Sequence, residues 1–227
     1  MIVPSKVFKF SELIDFSQNQ IVSKILASID GGLISIFSFA ENESVSEQSN
    51  SEDIFIFVLE GDMSVEYKGK TYHAGTQEMI AIPRNTLHQV SSLSKSKVLQ
   101  LSLQIGKEET NMAGFIDKIE QGEILNLSDV VDYQEGGISS LAMVQRKDLT
   151  ITIMAFDKGQ KIASHSSTGD AMVQILDGSV SINIGSETYE LSCGQSIVMP
   201  AGVAHSLTSV TKFKMMLTVV KPQEEIS

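Results

Sequence analysis

A single cysteine, Cys193, is all the thiol this chain has. That excludes an intrachain disulfide and a cysteine cage for zinc, and it fits a reducing compartment. Cys193 precedes Gly194 in an expected turn and reads as incidental rather than reactive. Positive charge is scarce too: 17 Lys and Arg stand against 28 Asp and Glu, for a net charge of -11. No Lys/Arg cluster stands out from that background, so nucleic acid is not an expected partner. Residues 1–10 mix Pro4, Lys6 and Lys9 with apolar positions, and hold no run long enough for a signal-peptide core or a membrane span. The expectation is a cytoplasmic protein with no membrane partner. Asn42-Glu43-Ser44 and Asn126-Leu127-Ser128 fit the glycosylation pattern, which has no meaning in that compartment. Gly-rich phosphate loops, nucleophile elbows and H-E-x-x-H helices are missing as well.

What the chain does have is a repeat. Displaced by 117 positions it matches itself without a gap, as from Gly61 to Gly178. Val58-Leu59-Glu60-Gly61 falls on Ile175-Leu176-Asp177-Gly178, and Ile82, Pro83 and His88 fall on Met199, Pro200 and His205. The register runs from Val7–Ser102 against Ile124–Val219, so the unit is a whole fold rather than a solenoid repeat. The domains expected are 1–105 and 124–227, joined by a linker at 106–123. Within the linker, Met112, Phe115, Ile116 and Ile119 fall on one helical face, which predicts a short helix packed on a barrel wall.

Short runs of β-branched and alternating apolar residues recur at the spacing of an all-β sandwich or barrel. Leu33–Phe39, Ile54–Leu59, Met63–Tyr67, Met79–Ile82 and Val98–Leu103 are expected strands, and Thr150–Phe156, Ala171–Leu176, Val180–Ile184, Ser196–Met199 and Met215–Val220 are their counterparts. Glu60-Gly61-Asp62, Lys68-Gly69-Lys70, Asp177-Gly178-Ser179 and Gly185-Ser186 mark turns between them. Residues 41–53 are acidic and serine-rich, as in a solvated loop with a weak edge strand.

In the second copy Gly194, Pro200, Gly202 and His205 are spaced G-x5-P-x-G-x2-H, and Gly159 and His165 are spaced G-x5-H ahead of the turn at Gly178. These spacings resemble the two motifs of the cupin family, and the resemblance covers nearly the whole chain twice. It implies a bicupin: an all-β chain of two tandem jelly-roll barrels joined by a short helical linker. The family holds a divalent transition metal (Fe, Mn, Ni, Cu or Zn) between two histidines of one strand, a glutamate and a third histidine. Side chains two residues apart on a strand share a face, which is why H-x-H can converge on one ion.

At those four positions the second copy has His165, Ser167, Ala171 and His205, and the first has Gln48, Asn50, Ile54 and His88. The first copy thus carries a vestigial site in which His88 is expected as a hydrogen-bonded interior or pocket histidine. In the second, Asp170 sits beside the glutamate position but should face the other way, since strand neighbours alternate. Two histidines fall short of the ligand count of a catalytic metal site. The expected ligand pocket is therefore the C-terminal barrel, at His165, Ser167, Ala171, Val173, His205 and Leu207, with a small molecule as partner and no cofactor or a weakly held metal at His165 and His205. Three function classes follow: a non-catalytic or weakly catalytic small-molecule-binding bicupin; a metal-dependent dioxygenase, decarboxylase or isomerase using His165 and His205; and a structural or sensory assembly module. The chain is expected as a monomer, with the duplication supplying an internal pseudo-dimer, or as a homodimer.

Overall fold

The structure, a computed structural model, describes residues 2–29, 31–104 and 124–221. The expected linker helix lies outside the described residues. Two compact units are present: Phe10–Asn126, and Ile2–Lys9 together with the chain from Leu127 onward.

In the first unit a 3-10 turn, Phe10–Glu12, precedes ten strands: β1 Ile21–Ile29, β2 Gly32–Phe39, β3 Ser44–Gln48, β4 Asp53–Glu60, β5 Asp62–Tyr67, β6 Lys70–Gly75, β7 Glu78–Ile82, β8 His88–Ser92, β9 Ser96–Leu103 and β10 Ile124–Asn126. They form a sheet ordered β1-β2-β9-β4-β7-β10 and a second ordered β3-β8-β5-β6. The second unit repeats them as β11 Ile138–Gln145, β12 Leu149–Phe156, β13 Lys161–His165, β14 Asp170–Asp177, β15 Ser179–Ile184, β16 Glu187–Ser192, β17 Ser196–Met199, β18 His205–Ser209 and β19 Phe213–Val220. Their orders, β11-β12-β19-β14-β17 and β13-β18-β15-β16, match those of the first unit except that β10 has no counterpart strand. Each unit is a two-sheet antiparallel barrel, as the sequence spacing predicts, and β3 is the weak edge strand expected after residue 41.

The larger sheet of each unit is extended by a segment that belongs to the other copy by sequence. In the first unit Leu125 of β10 lies opposite Met79 of β7. In the second, Phe8 bridges Ser196, with N–H···O distances of 2.9 and 2.7 Å in the two directions. Phe8 and Leu125 are equivalent in the repeat, as are Met79 and Ser196. Both segments pair with sheet-edge backbone groups that would otherwise need water.

Alternation explains the cores. In β5 and β15 the residues at even spacing, Met63, Val65 and Tyr67, then Val180, Ile182 and Ile184, are buried while their neighbours are not. On the other face of each larger sheet one buried lysine is held the same way. Lys97 Nζ donates to the Ser11 carbonyl at 2.6 Å and lies 4.5 Å from the Phe16 ring centroid. Its equivalent Lys214 donates to the Ser128 carbonyl and lies 4.6 Å from the Tyr133 ring. A buried ammonium without such partners would be costly. Gly61 and Gly178, the turn glycines of both copies, have φ of +83° and +70°, and a Cβ on either would collide with the carbonyl of Lys95 or Lys212. The fold therefore requires glycine there for handedness and for close approach together.

Candidate functional site

β13 and β18 are neighbours in the smaller sheet of the second unit, and their register sets His165 directly opposite His205. The ring centroids are 4.4 Å apart, edge to face at 67°. His165 is exposed and His205 is buried, so the pair runs from the surface into the barrel wall. Each ring is fixed by the backbone two residues earlier. His165 Nδ1 lies 3.0 Å from the Ala163 carbonyl and His205 Nδ1 lies 2.9 Å from the Val203 carbonyl. A carbonyl can only accept, so each Nδ1 carries the hydrogen and each Nε2 has its lone pair free in the neutral ring. Burial pushes the His205 imidazole below its usual pKa; the Val203 carbonyl opposes that, and the neighbouring His165 adds to it.

The structure places the other residues expected in this pocket as follows. Ser167 turns its hydroxyl to the Gly169 carbonyl. Ala171, Val173 and Leu207 are buried within the barrel's hydrophobic core, with Met154, Ile162, Val203 and Leu217 packed against it. Asp170 is exposed, and its Oδ1 accepts the Ala201 N–H at 2.9 Å. Asp53 does the same to Arg84 at 2.9 Å in the first unit. This aspartate therefore anchors the turn before β8 and β18, and it is not a replacement for the missing glutamate. Cupins often bind a divalent metal, but here the donors are two imidazoles, with alanine at the carboxylate position. Among the described residues no group of three His, Cys, Asp or Glu gathers in ligating geometry. The residues present do not make a complete resident metal site, since catalytic sites of this kind take three protein ligands.

The first unit holds a cavity of about 260 Å³ at the position the sequence reading treats as vestigial. Its lining includes all four motif positions, Gln48, Asn50, Ile54 and His88. Phe37, Phe39, Val45, Ile56, Val90, Val98 and Gln100 complete it. Gln48 lies opposite His88 across β3 and β8, as His165 does to His205. His88 is buried, and its Nδ1 lies 2.9 Å from the Thr86 carbonyl, so here too Nε2 is the free nitrogen. Gln100 donates from Nε2 to Ser102 Oγ at 3.1 Å, leaving Oε1 for another partner. Asn50 Oδ1 is buried with no hydrogen-bond partner. Sequence reasoning names Gln48, Asn50, Ile54 and His88 as a vestigial metal site and expects the ligand pocket in the second barrel; it does not anticipate a cavity at these four positions. One signal was present: Gln100 interrupts the apolar strand Val98–Leu103, where the second copy has Leu217.

No helix among the described residues is long and apolar enough to cross a membrane. A cupin 2 conserved barrel domain protein from Leptotrichia buccalis superposes with a TM-score of 0.82 at 25% identity, over 97% of this chain and 98% of that one. Salicylate 1,2-dioxygenase from Pseudaminobacter salicylatoxidans superposes at 0.63 with 16% identity, over 96% of this chain and 84% of that one, a likeness of fold. An uncharacterised protein of Streptomyces coelicolor is 25% identical over 84 residues, which are 37% of this chain and 80% of that protein. The cupin domain family matches residues 35–103 and again 152–221, and the chain belongs to the cupin family, with two cupin domains in tandem.

Proposed function

We propose that this protein binds a small molecule inside a cupin barrel and is non-catalytic or weakly catalytic. The observation that carries the reading is the first-barrel cavity, whose apolar walls are broken by a few polar groups, the usual chemistry of a small-molecule site. Amides at the metal-ligand positions support it, because Gln48 and Asn50 recognise a ligand by hydrogen bonds and are poor ligands for a transition metal. The test is a thermal-shift screen of the full chain against polar and partly apolar metabolites. A ligand at a hundredfold over its Kd stabilises by about 2.7 kcal/mol, a shift the screen resolves. Failure of every compound, together with a crystal structure showing ordered side chains filling the chamber, overturns the reading.

A metal-dependent enzyme, of the dioxygenase, decarboxylase or isomerase type, is the second reading. It has one observation in its favour: the free Nε2 atoms of His165 and His205 belong to rings oriented by backbone carbonyls, as metal-ligating histidines usually are. It requires a third donor beyond this pair. Elemental analysis of protein purified without chelator tests it, with metal bound at one equivalent supporting it and a preparation that takes up no Fe, Mn, Ni, Cu or Zn excluding it.

A further inference from the structure

We infer that the first-barrel cavity selects an uncharged molecule of about ten non-hydrogen atoms that has an apolar body and at least one O–H or N–H donor. This rests on the reading of that cavity as the ligand chamber, and it adds the chemical class.

Size follows from volume. A cavity of 150 Å³ lined by aliphatic and aromatic side chains holds benzene, roughly 25 Å³ for each non-hydrogen atom, so 260 Å³ corresponds to about ten. The body is apolar because Phe37, Phe39, Ile54, Ile56, Val90 and Val98 form most of the wall. Charge follows from what is missing among the lining residues: none is Asp, Glu, Lys or Arg, and His88 is the single titratable group. A carboxylate or ammonium on the ligand would lose its hydration and meet no fixed opposite charge.

The donor requirement follows from how the polar groups are already committed. His88 uses Nδ1 on the Thr86 carbonyl, which leaves an acceptor at Nε2 of the neutral ring. Gln100 uses Nε2 on Ser102, which leaves an acceptor at Oε1. Asn50 has its Oδ1 buried and unpaired, so its carboxamide gains from any donor that rotation about its terminal bond can reach. Acceptors at His88, Gln100 and Asn50 thus await a donor, while the carboxamide N–H groups of Gln48 and Asn50 can serve an acceptor, so a hydroxyl meets both. The second barrel lacks two of these groups, since Ser167 and Leu217 stand at the positions of Asn50 and Gln100.

Calorimetric titration of the full chain with 4-propylphenol, 4-propylanisole and 4-propylbenzoate at neutral pH separates class from site. The three share a body and differ in donor and charge. The phenol is expected to bind, its O-methyl ether about tenfold more weakly, and the benzoate most weakly of all. Gln100→Leu and Asn50→Ser, which install the second barrel's residues, are each expected to shrink the phenol's advantage over the ether while leaving the ether's own affinity within about twofold. An ether that equals the phenol in the wild type, or a benzoate that binds tightest, overturns the class and leaves a barrel-interior site standing. Absence of binding by all three overturns the inferred class and size, while the proposed function stands or falls on the wider screen and on whether side chains fill the chamber.

Discussion

Replacing Gln100 by leucine should make the empty protein more stable and a poorer binder, and the two effects can be sized separately. Gln100 lies on β9 between the buried Leu99 and Leu101, and its carboxamide lines an otherwise mostly apolar chamber. Keeping such a group in an apolar setting costs about 1–3 kcal/mol when it is incompletely paired. The hydrogen bond to Ser102 Oγ at 3.1 Å returns about 0.5–1.5 kcal/mol. Leucine removes both contributions, and the backbone already accepts it: Leu217 stands at the same register position on β19. The net expectation is a gain of about 1 kcal/mol, or about 2–4 °C in Tm for a chain of this length. Urea unfolding at neutral pH, followed with and without saturating 4-propylphenol, measures both halves. The midpoint without ligand should rise, and the increment given by the phenol should shrink. A loss of more than about 1 kcal/mol in the apo protein would show that Gln100 is retained for structure, and the argument from unfilled acceptors would fail. An unchanged ligand increment would refute its role in binding just as directly.

Other outcomes follow from the same geometry. Gly178→Ala should destabilise by about 2–5 kcal/mol, from the left-handed backbone plus collision with the Lys212 carbonyl, whereas Gly159→Ala, at φ +81° with open space around it, should cost about 1–2 kcal/mol; chemical denaturation of the pair isolates the close approach. His205 titrates lower folded than unfolded, so the unfolded chain takes up the proton first. The stability contributed by its neutral ring is full above the ordinary imidazole range, near pH 6.5, and is lost as pH falls through the depressed folded value. Denaturation midpoints from pH 8 to 5 should therefore decline more steeply for the wild type than for His205→Gln. If a metal is taken up at the imidazole pair, His165→Ala and His205→Ala should each abolish uptake, and His88→Ala should leave it unchanged; elemental analysis of the three variants reads this.

The duplicated fold was legible in the sequence because turns and strands leave local marks. Gly61 and Gly178 mark the same tight corner, and the alternation at Met63, Val65 and Tyr67 fixes which face of β5 is buried. The fate of Asp170 could be read too, since neighbours on a strand face opposite ways, and its carboxylate does turn to the Ala201 N–H. The exchange of Phe8 and Leu125 between sheets was not legible, because a backbone bridge of one to three residues leaves no periodic pattern. Nor was the chamber in the first barrel. An empty volume arises from side chains on β2, β3, β4, β8 and β9 that are far apart in the chain, and no short motif encodes their sum. Reading Gln48, Asn50 and Ile54 as lost metal ligands was correct chemistry for a metal, but it overlooked that two carboxamides beside a histidine form a hydrogen-bonding set of their own.

The central claim is that the first barrel encloses a chamber for a small uncharged molecule. Methyl-selective NMR of the full chain, titrated with 4-propylphenol, tests it most directly. Shifts concentrated on the methyls of Val45, Ile54, Ile56, Val90 and Val98 are the predicted result; shifts concentrated instead on Val173 and Leu207 of the second barrel, or none at saturating probe, would contradict it.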